Sequence, residues 1–477
     1  MVFMKTLLIN PPRSNEVVAD NPAFIDEERG YNPPLGLLYL ASYLQKNGRQ
    51  QIVVLDAQVD NLGYGEDFVG RIEAVNPDII GITVMTFTLI DVLKTLEIIK
   101  RAGEKLNKKI TVVLGGPHAH IFPEETLALP GVDFVIKGEG EIPFFLLLEA
   151  LEGRGELSAV KGLAYRQDGQ VINNLVGDLI ENLDELPVPD RTLLPVEKYG
   201  SLLGAGRIVT TMFTSRGCPF QCTFCDRPHL GKRFRSRSAQ NVVDEMEACL
   251  KLGIQEILVY DDTFTVNRQR VIDICNEIKK RQLKFCWDIR ARVDTVDEEI
   301  LKQLKSAGCA RIHFGVESGT EKILKVLNKG ISLNQVERAF KAAKKIGLET
   351  LGYFMIGAPD ETREDIMETV KFAKKIDPDY VHITIFTPYP ATEIYRRALA
   401  EGVIDSDYWL EFARHPENGV VTRYWEKELS KQELFDLLGK FYKEFYGRPS
   451  YILKQFLKIR SPKDFIKKAR AGLKILK

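Results

Sequence analysis

Features that would direct a chain to a membrane, to secretion or to nucleic acid are missing from these 477 residues. No apolar run approaches the roughly 20 residues that span a bilayer; Ile142 to Leu151 is interrupted by Pro143 and Glu149. The N-terminal apolar run is too short for a signal peptide and stops at Asn10-Pro11-Pro12. Lys plus Arg equals Asp plus Glu at 66 each, which gives no global case for a nucleic-acid partner. We expect a cytoplasmic protein that at most lies on a membrane surface.

Cysteine is scarce, and its seven residues form an odd count without a secretory pattern, which indicates a reducing compartment. Isolated thiols in apolar contexts are expected to pack as small hydrophobes: Cys249, Cys275, Cys286 and Cys309. No second C-x-x-C pair occurs, so we expect no auxiliary cluster. The other three thiols, Cys218, Cys222 and Cys225, are separated by three and then two residues, directly after a β-rich stretch.

Three thiols on one tight loop suit an iron–sulfur cluster. A cubane cluster takes four cysteine ligands as a rule, so three would leave one iron able to bind an exchangeable group, which indicates a catalytic site. C-x3-C-x2-C after a first barrel strand, with Phe224 just before the last cysteine, resembles the signature of the radical S-adenosylmethionine enzymes. The resemblance implies that Cys218, Cys222 and Cys225 hold a [4Fe-4S] cluster. It also implies that the open iron binds S-adenosylmethionine, which an electron from the cluster splits into methionine and a 5′-deoxyadenosyl radical.

Zinc is the alternative ligand of this loop. His229 follows Cys225 at a spacing that would complete a site of three cysteines and one histidine. A structural zinc site would stand in a small, poorly packed module, whereas this loop is embedded in a long alternation of strands and helices. We therefore interpret His229 as a loop residue.

Residues 1–150 alternate short aliphatic strands with helical segments, which predicts a doubly wound, Rossmann-like α/β domain with a parallel sheet. The predicted strands are Thr6–Ile9, Ile52–Leu55, Ile79–Thr83, Ile110–Leu114 and Phe134–Ile136, and the predicted helices include Leu35–Gln45, Asp91–Lys105 and Glu141–Leu151. Ligands of such sheets bind beyond the carboxyl ends of the strands. No G-x-G-x-x-G follows the first strand, which disfavours a dinucleotide.

The five strand ends, placed before the cysteine loop, resemble the cobalamin-binding domain of the cobalamin-dependent radical S-adenosylmethionine enzymes. The resemblance covers nearly the whole chain and implies cobalamin contacts from Asn10, Pro11, Gln58, Thr83, Val84, Met85, Gly115, Gly116, Gly138 and Glu139. Domains that ligate cobalt from below use D-x-H-x-x-G, and the matching stretch, Asp56 to Asp60, has Gln58 and no histidine. We therefore expect cobalamin without a histidine lower ligand, and we interpret His118 and His120 as polar loop residues.

Beyond residue 150 we expect a connector at 151–205 with a hairpin around Asp168-Gly169, and a helical C-terminal region at 403–477. Between them, residues 206–402 resume the alternation of strands and helices. The predicted strands there are Val209–Thr214, Ile257–Tyr260, Phe285–Ile289, Arg311–Phe314, Thr350–Ile356 and Val381–Phe386. Six strands rather than eight predict a partial, TIM-like (β/α)6 barrel whose chemistry lies at the carboxyl ends of its strands.

Polar residues and glycines gather at those strand ends. S-adenosylmethionine offers a carboxylate, a ribose diol and an adenine, which need a cation, a carboxylate or hydroxyl, and glycine-exposed backbone beside an aromatic wall. By resemblance, Glu317 and Ser318 hold the ribose or methionine portion and Arg292 the carboxylate. Phe224 lies near the adenine, and Gly357 admits its edge.

The implied function is a cobalamin-dependent radical enzyme that abstracts hydrogen from an unactivated carbon, leading to C-methylation or oxidative cyclisation. The alternative, which requires zinc in the cysteine loop, is a non-catalytic, zinc-stabilised corrinoid carrier or sensor. The overall layout and basic carboxyl tail resemble the anaerobic magnesium-protoporphyrin monomethyl ester cyclases. Nine Lys or Arg lie between Tyr451 and Lys477 against one acidic residue, Asp464, so we expect either a docked tail or peripheral membrane contact. The expected substrate is a small, hydrophobic molecule such as a lipid, isoprenoid or porphyrin. Electrons would come from a flavodoxin- or ferredoxin-type donor. The basic run of Lys232, Arg233, Arg235 and Arg237 is either a solvated stretch or a contact for an acidic electron donor or an anionic substrate.

Overall fold

The N-terminal region forms a seven-stranded sheet in the computed structural model, which describes residues 3–17, 30–201, 204, 207–225 and 230–457. Its five parallel strands are β1 (Thr6–Asn10), β2 (Ile52–Asp56), β3 (Ile79–Thr83), β4 (Thr111–Gly115) and β5 (Phe134–Ile136). The predicted hairpin, β6 (Leu163–Gln167) and β7 (Gln170–Asn173), pairs antiparallel to β5. This hairpin, expected in the connector, therefore extends the sheet of the first domain.

Helices cover both faces of this sheet, as the doubly wound prediction requires. They are α1 (Leu35–Lys46), α2 (Glu66–Val75), α3 (Leu89–Lys105), α4 (Pro117–Ile121), α5 (Pro123–Ala128) and α6 (Glu141–Leu151). Alternate residues of β1 enter different cores, with Leu7 on one face and Leu8 on the other. The strand order β2-β1-β3-β4-β5 reverses between β1 and β3, and such a switch point opens a ligand crevice beyond the carboxyl ends of the strands.

The second sheet is an open, curled barrel of six parallel strands, so the predicted partial barrel is confirmed. Its strands are β8 (Val209–Met212), β11 (Glu256–Val259), β12 (Cys286–Ala291), β13 (Cys309–Glu317), β14 (Glu349–Ile356) and β15 (Tyr380–Ile385). They lie in sequence order, with β8 and β15 at the two edges. A two-stranded ribbon, β9 (Ser215–Arg216) and β10 (Arg235–Ser236), flanks the cysteine loop.

Helices pack on the convex face of the barrel: α7 (Ala239–Lys251), α8 (Arg268–Lys280), α9 (Glu298–Ser306), α10 (Glu321–Val326), α11 (Leu333–Ile346) and α12 (Arg363–Ile376). Trp287, Ile289 and Ala291 of β12 belong to the core that these helices share. Because successive strand residues point to opposite faces, Asp288 and Arg290 point towards the concave lumen.

The C-terminal region closes the molecule with α13 (Glu393–Ala400), α14 (Tyr408–Arg414), α15 (Lys431–Tyr446) and α16 (Pro449–Leu457). Trp409 and Phe412 of α14 join the core of the N-terminal domain, so this region packs on both domains. Within the ranges described, no helix combines the length and the apolarity that crossing a bilayer requires. The tail prediction concerns residues 451–477, of which 458–477 lie outside the described residues.

Tyrosines of the C-terminal helices cover the exposed edge of β15. The Tyr446 hydroxyl accepts from the Val381 N–H at 2.9 Å and donates to the Val381 carbonyl at 2.9 Å. Tyr442 makes the same pair of bonds with Ile383, at 3.0 and 3.1 Å. An edge strand leaves such groups unpaired, and here two phenols satisfy them.

Candidate active site

The cysteine loop is anchored at the carboxyl ends of β8 and β11. The carboxylate of Asp261, just after β11, accepts hydrogen bonds from the backbone N–H groups of Thr214 and Ser215, at 2.6 and 3.1 Å, and from both hydroxyls. Gly217, with φ of +78°, then turns the chain so tightly that an added Cβ would lie 2.3 Å from the Arg233 carbonyl. Only glycine fits this position, so the turn that presents Cys218 is fixed by sequence.

The three cysteines are partly buried, and none is in a disulfide. Cys218 Sγ lies 3.9 Å from Thr263 Oγ1, and Cys222 Sγ lies 3.9 Å from Arg292 Nη1. Burial raises the pKa of the Cys222 thiol, while Lys329 and Arg292 oppose the rise. Among the described residues, no three Cys, His, Asp or Glu side chains are grouped as ligands of a metal ion, and His229 lies outside those residues. Three accessible thiols from one loop beside two cations fit an iron–sulfur cluster, because thiolates are its ligands and cations favour them.

Arg292 is held rigidly at the rim of this loop. Its guanidinium donates to both oxygens of Asp294 at 2.9 Å and to the Lys329 carbonyl at 2.7 Å. It also stacks over the Phe220 ring, with 3.8 Å between Cζ and the ring centroid. These contacts aim the remaining nitrogen, Nη1, at Cys222. The predicted Arg292 is therefore next to the cysteine loop.

Glu317 and Phe224, also predicted, meet at a lysine that sequence reasoning missed. Lys329 Nζ lies 2.7 Å from Glu317 Oε1 and 5.9 Å from the centroid of the Phe224 ring. Glu317 has φ of +69°, at a point where the pairing of β13 with β14 shifts register. A strained bulge of this kind re-aims a side chain. Lys329, in an Asn-Lys-Gly turn after α10, carries no signal in sequence that separates it from an ordinary helix end.

Ser318 and Gly357 lie against residues of the helices α12 and α15. The buried Ser318 hydroxyl lies 3.2 Å from Thr369 Oγ1 of α12. Gly357 has φ of +80°, and an added Cβ would lie 2.7 Å from a methyl group of Leu434. Its N–H donates to Glu361 Oε2 at 2.6 Å, and burial raises the pKa of Glu361 to about 8. In this structure both residues therefore shape the backbone of the barrel rim.

A cavity of about 250 Å³ opens beyond the carboxyl ends of β3, β4 and β5. Five of the predicted cobalamin-binding residues line it: Thr83, Gly115, Gly116, Gly138 and Glu139. The other five are not among its lining residues: Asn10, Pro11, Gln58, Val84 and Met85. Phe213, Ser215, Arg216, Leu230 and Asp262 complete the lining from the barrel side. The cavity is therefore shared by the two domains, and its wall includes Ser215 and Arg216, which lie three and two residues before Cys218.

Gln58 lies at the end of β2 in a local network. Its side-chain amide donates to the Pro11 carbonyl at 3.1 Å. Asn10 and Tyr199 each donate to Asp56, at 2.8 Å, and burial raises the pKa of that carboxyl.

His118 and His120, expected in a loop, lie in the short helix α4 because Pro117 opens a helical turn after Gly116. The His118 ring is buried, with Nδ1 at 3.1 Å from Thr86 Oγ1, and burial lowers its pKa to about 3.

Ion pairs fasten the two domains around the cavity. Arg216 contacts Glu139 at 2.8 Å and Glu141 at 2.6 Å, and Arg235 contacts Glu139 at 2.8 Å. Burial acts to raise the pKa of Glu139, but the two guanidinium groups bring it below its usual value. Arg237 is likewise buried, against Glu245. The solvated interpretation of the basic stretch is therefore wrong for Arg235 and Arg237, and these two buried side chains are not open to a redox partner.

Comparison with known proteins identifies a family for each of the two domains. Residues 212–373 match the Radical SAM superfamily, and residues 23–148 match the B12 binding domain. The anaerobic magnesium-protoporphyrin IX monomethyl ester cyclase of Rubrivivax gelatinosus is 30% identical over 449 residues, which are 92% of this chain and 78% of the cyclase. The chain belongs to the cobalamin-dependent radical S-adenosylmethionine enzymes, whose cofactors are a [4Fe-4S] cluster, S-adenosylmethionine and cobalamin.

Two further similarities cover nearly the whole chain. An uncharacterized methyltransferase of Pyrococcus horikoshii is 38% identical over 476 residues, which are 99% of this chain and 98% of that protein. The solved structure of the cobalamin-dependent S-adenosylmethionine radical enzyme OxsB, with aqua-cobalamin and S-adenosylmethionine bound, superposes with a TM-score of 0.75 at 20% identity. That match covers 98% of this chain and 70% of OxsB, and it shows a common fold.

Proposed function

We propose that this enzyme cleaves S-adenosylmethionine at the cysteine loop and modifies an unactivated carbon of a small molecule in the barrel lumen, by methylation or oxidative cyclisation. One observation carries the proposal: the cavity at the strand ends of the N-terminal sheet is walled in part by Ser215 and Arg216, three and two residues before Cys218. A cobalamin held there adjoins the cluster loop.

Different residues of the chain would hold the cluster, S-adenosylmethionine and cobalamin. Cys218, Cys222 and Cys225 hold the cluster, and Arg292 keeps positive charge beside Cys222. Lys329 and Glu317, paired at 2.7 Å, offer a cation and a carboxylate for the methionine and ribose groups. Glycines at 115, 116 and 138 leave the cavity open to a bulky ligand. When bound, the cluster supplies the electron for reductive cleavage and cobalamin supplies the methyl-transfer or cyclisation chemistry.

Anaerobic reconstitution tests the proposal. The purified chain should bind iron and sulfide and release 5′-deoxyadenosine from S-adenosylmethionine when a flavodoxin or ferredoxin supplies electrons. A preparation that binds zinc and no iron would instead support the zinc-stabilised carrier. S-adenosylmethionine with a deuterated methyl group then separates the two outcomes, because only methylation moves that label into product.

The exposed face of α16 supports a peripheral membrane contact and a membrane-associated substrate such as a lipid, isoprenoid or porphyrin. Ile452, Leu453, Phe456 and Leu457 of this helix are all more than half exposed, from 51% to 76%. Apolar side chains on a helix that leads into a basic segment bind anionic membranes. Flotation with anionic vesicles should recover the full chain, and Leu453→Asp with Phe456→Asp should abolish flotation. Equal behaviour of the two proteins would contradict the membrane contact.

A further inference from the structure

Polar side chains line the barrel lumen beyond the cysteine loop. Arg290 of β12 stands in register with His313 of β13, and Tyr353 of β14 stands in register with His382 of β15. Their outward neighbours, such as Ile289, belong to the convex core. By strand alternation the four polar side chains therefore point inward.

These side chains touch one another across the lumen wall. The Arg290 guanidinium lies over the Tyr260 ring, with 3.9 Å between Cζ and the ring centroid. His313 Nδ1 lies 2.9 Å from the Tyr353 hydroxyl, and the Tyr353 and His382 rings are 5.8 Å apart. Tyr260, Arg290, His313, Tyr353 and His382 form what we term the lumen cluster.

Within the lumen cluster, Arg290 carries a positive charge that forms no ion pair with Asp288. Asp288, the inward acid two residues before Arg290, is occupied by Arg311 at 3.2 Å and by His313 Nε2 at 3.3 Å. In the part of the chain that the structure describes, Arg290 makes no ion pair with a carboxylate. Burial raises the pKa of Tyr260 and of Tyr353, so both phenols stay neutral. A half-buried guanidinium that lacks a counter-ion favours the binding of an anionic ligand.

The position of Arg290 separates it from the S-adenosylmethionine site. Arg292, beside Cys222, comes two residues later, just past the end of β12, and two residues of extended backbone span about 7 Å. Tyr260 also accepts a hydrogen bond from Asn32 Nδ2 of the N-terminal domain at 3.2 Å. A ligand held by the lumen cluster therefore lies deeper in the barrel lumen than the cysteine loop. It lies against a wall to which residues of both domains contribute.

We propose that the lumen cluster binds an anionic oxygen group of the substrate, a carboxylate or a phosphoryl group, with Arg290 as the charged donor. The tyrosine hydroxyls and the imidazoles supply further hydrogen bonds to the same group. This inference rests on the proposed function and narrows its substrate class. The hydrophobic molecule expected from sequence must then carry an acidic end.

Probe binding to the reconstituted full chain, without S-adenosylmethionine or reductant, tests this inference. Calorimetry compares benzoate, phenyl phosphate and the neutral benzyl alcohol. We expect saturable binding of at least one acidic probe, weakened about tenfold or more by Arg290→Met, since a charge-assisted hydrogen bond exceeds the roughly 1.4 kcal/mol that a factor of ten represents. The stronger of the two acidic probes identifies carboxylate or phosphoryl chemistry.

Two further variants make the result specific. Arg290→Lys should retain part of the affinity because it keeps the charge and loses the planar fork. Arg268→Met removes an exposed arginine that pairs with Asp297 outside the lumen, and it should bind the probes as the wild type does. Equal probe affinity in wild type and Arg290→Met, or binding of benzyl alcohol as tight as that of the acids, overturns the inference.

The two proposals fail separately. Wild type that cleaves S-adenosylmethionine but binds no acidic probe overturns only the lumen assignment. Wild type that shows Arg290-dependent probe binding but releases no 5′-deoxyadenosine supports the anion site and overturns the proposed chemistry.

Discussion

Substitution of Gly115 tests whether the cavity of the N-terminal domain is the cobalamin site. Gly115 ends β4 on the same face as Val113, and both residues line the cavity. An added Cβ would have its nearest neighbour, the Ile136 carbonyl, at an ordinary 3.7 Å. Gly116, by contrast, has φ of +111° and would place a Cβ 2.8 Å from the Val84 carbonyl. Position 115 can therefore accept a side chain without backbone strain, and that side chain enters the cavity.

The expected effect depends on the size of the new side chain. Gly115→Ala should fold and bind cobalamin nearly as the wild type does. Gly115→Leu should fold as stably, because replacing glycine lowers the entropy of the unfolded chain. Its side chain takes up space that the cofactor needs. Overpacking of this kind costs about 1–3 kcal/mol, which corresponds to roughly fivefold to a hundredfold weaker binding at about 1.4 kcal/mol per factor of ten.

Anaerobic titration with cobalamin, followed by absorbance, measures the affinity of each variant, and thermal unfolding of the same samples checks the fold. The cysteine loop gives an internal control, since iron content should be equal in all three proteins. If folded Gly115→Leu bound cobalamin as tightly as wild type, the cofactor would have to lie elsewhere and our reasoning about the cavity would be refuted.

Three further predictions concern the cluster, the barrel edge and a buried acid. Alanine at Cys218 should abolish release of 5′-deoxyadenosine, because two thiolates cannot secure the cluster, whereas Cys249→Ala should keep its full iron content; iron loss from the second variant would expose a ligand not recognised here. Tyr446→Phe should lower the free energy of unfolding by about 1–3 kcal/mol, because the N–H and carbonyl of Val381 lose their partner; an unchanged denaturant midpoint would contradict this. Because burial raises the pKa of Glu361 from 4.5 to about 8, folding favours its protonated form, and that stabilisation is lost as pH rises from 4.5 through 8. Between pH 4.5 and 8 the melting temperature of the wild type should therefore fall relative to that of Glu361→Gln. If the melting temperatures of the two proteins changed in parallel with pH, the raised pKa of Glu361 would be contradicted.

Sequence reasoning predicted the parts of the fold that depend on local pattern. The strands around Leu7 and Ile312 are short aliphatic runs between helical segments, so their type and order could be read directly. The cysteine triplet could be recognised from the sequence equally well, because all three thiols lie within one loop. Where a site depends on residues that are far apart in the chain, the sequence pattern did not indicate which of them would meet in the fold.

Arg235 illustrates that limit. In sequence it belongs to a basic run, and only the fold places Glu139 beside it and removes both from water. Lys329 and the lumen cluster were missed for the same reason. Their members are isolated polar residues on strands and turns, and only the curled barrel brings them close to one another. Ser318 was predicted from its position after β13, but Thr369 of a later helix determines what its hydroxyl contacts.

The tyrosine pair on α15 imposes an order on the assembly of the barrel. Residues four apart on a helix rise about 6 Å, close to the roughly 6.6 Å between alternate residues of a strand, so Tyr442 and Tyr446 can act together as a substitute for a seventh strand. Val381 precedes Tyr446 by 65 residues in the chain, and Ile383 precedes Tyr442 by 59. During synthesis the last strand therefore emerges with an unprotected edge, and it stays open to pairing with other chains until the final helices appear. A chain truncated before Tyr442 would lack both tyrosines, and the edge of β15 would stay open to pairing with other chains.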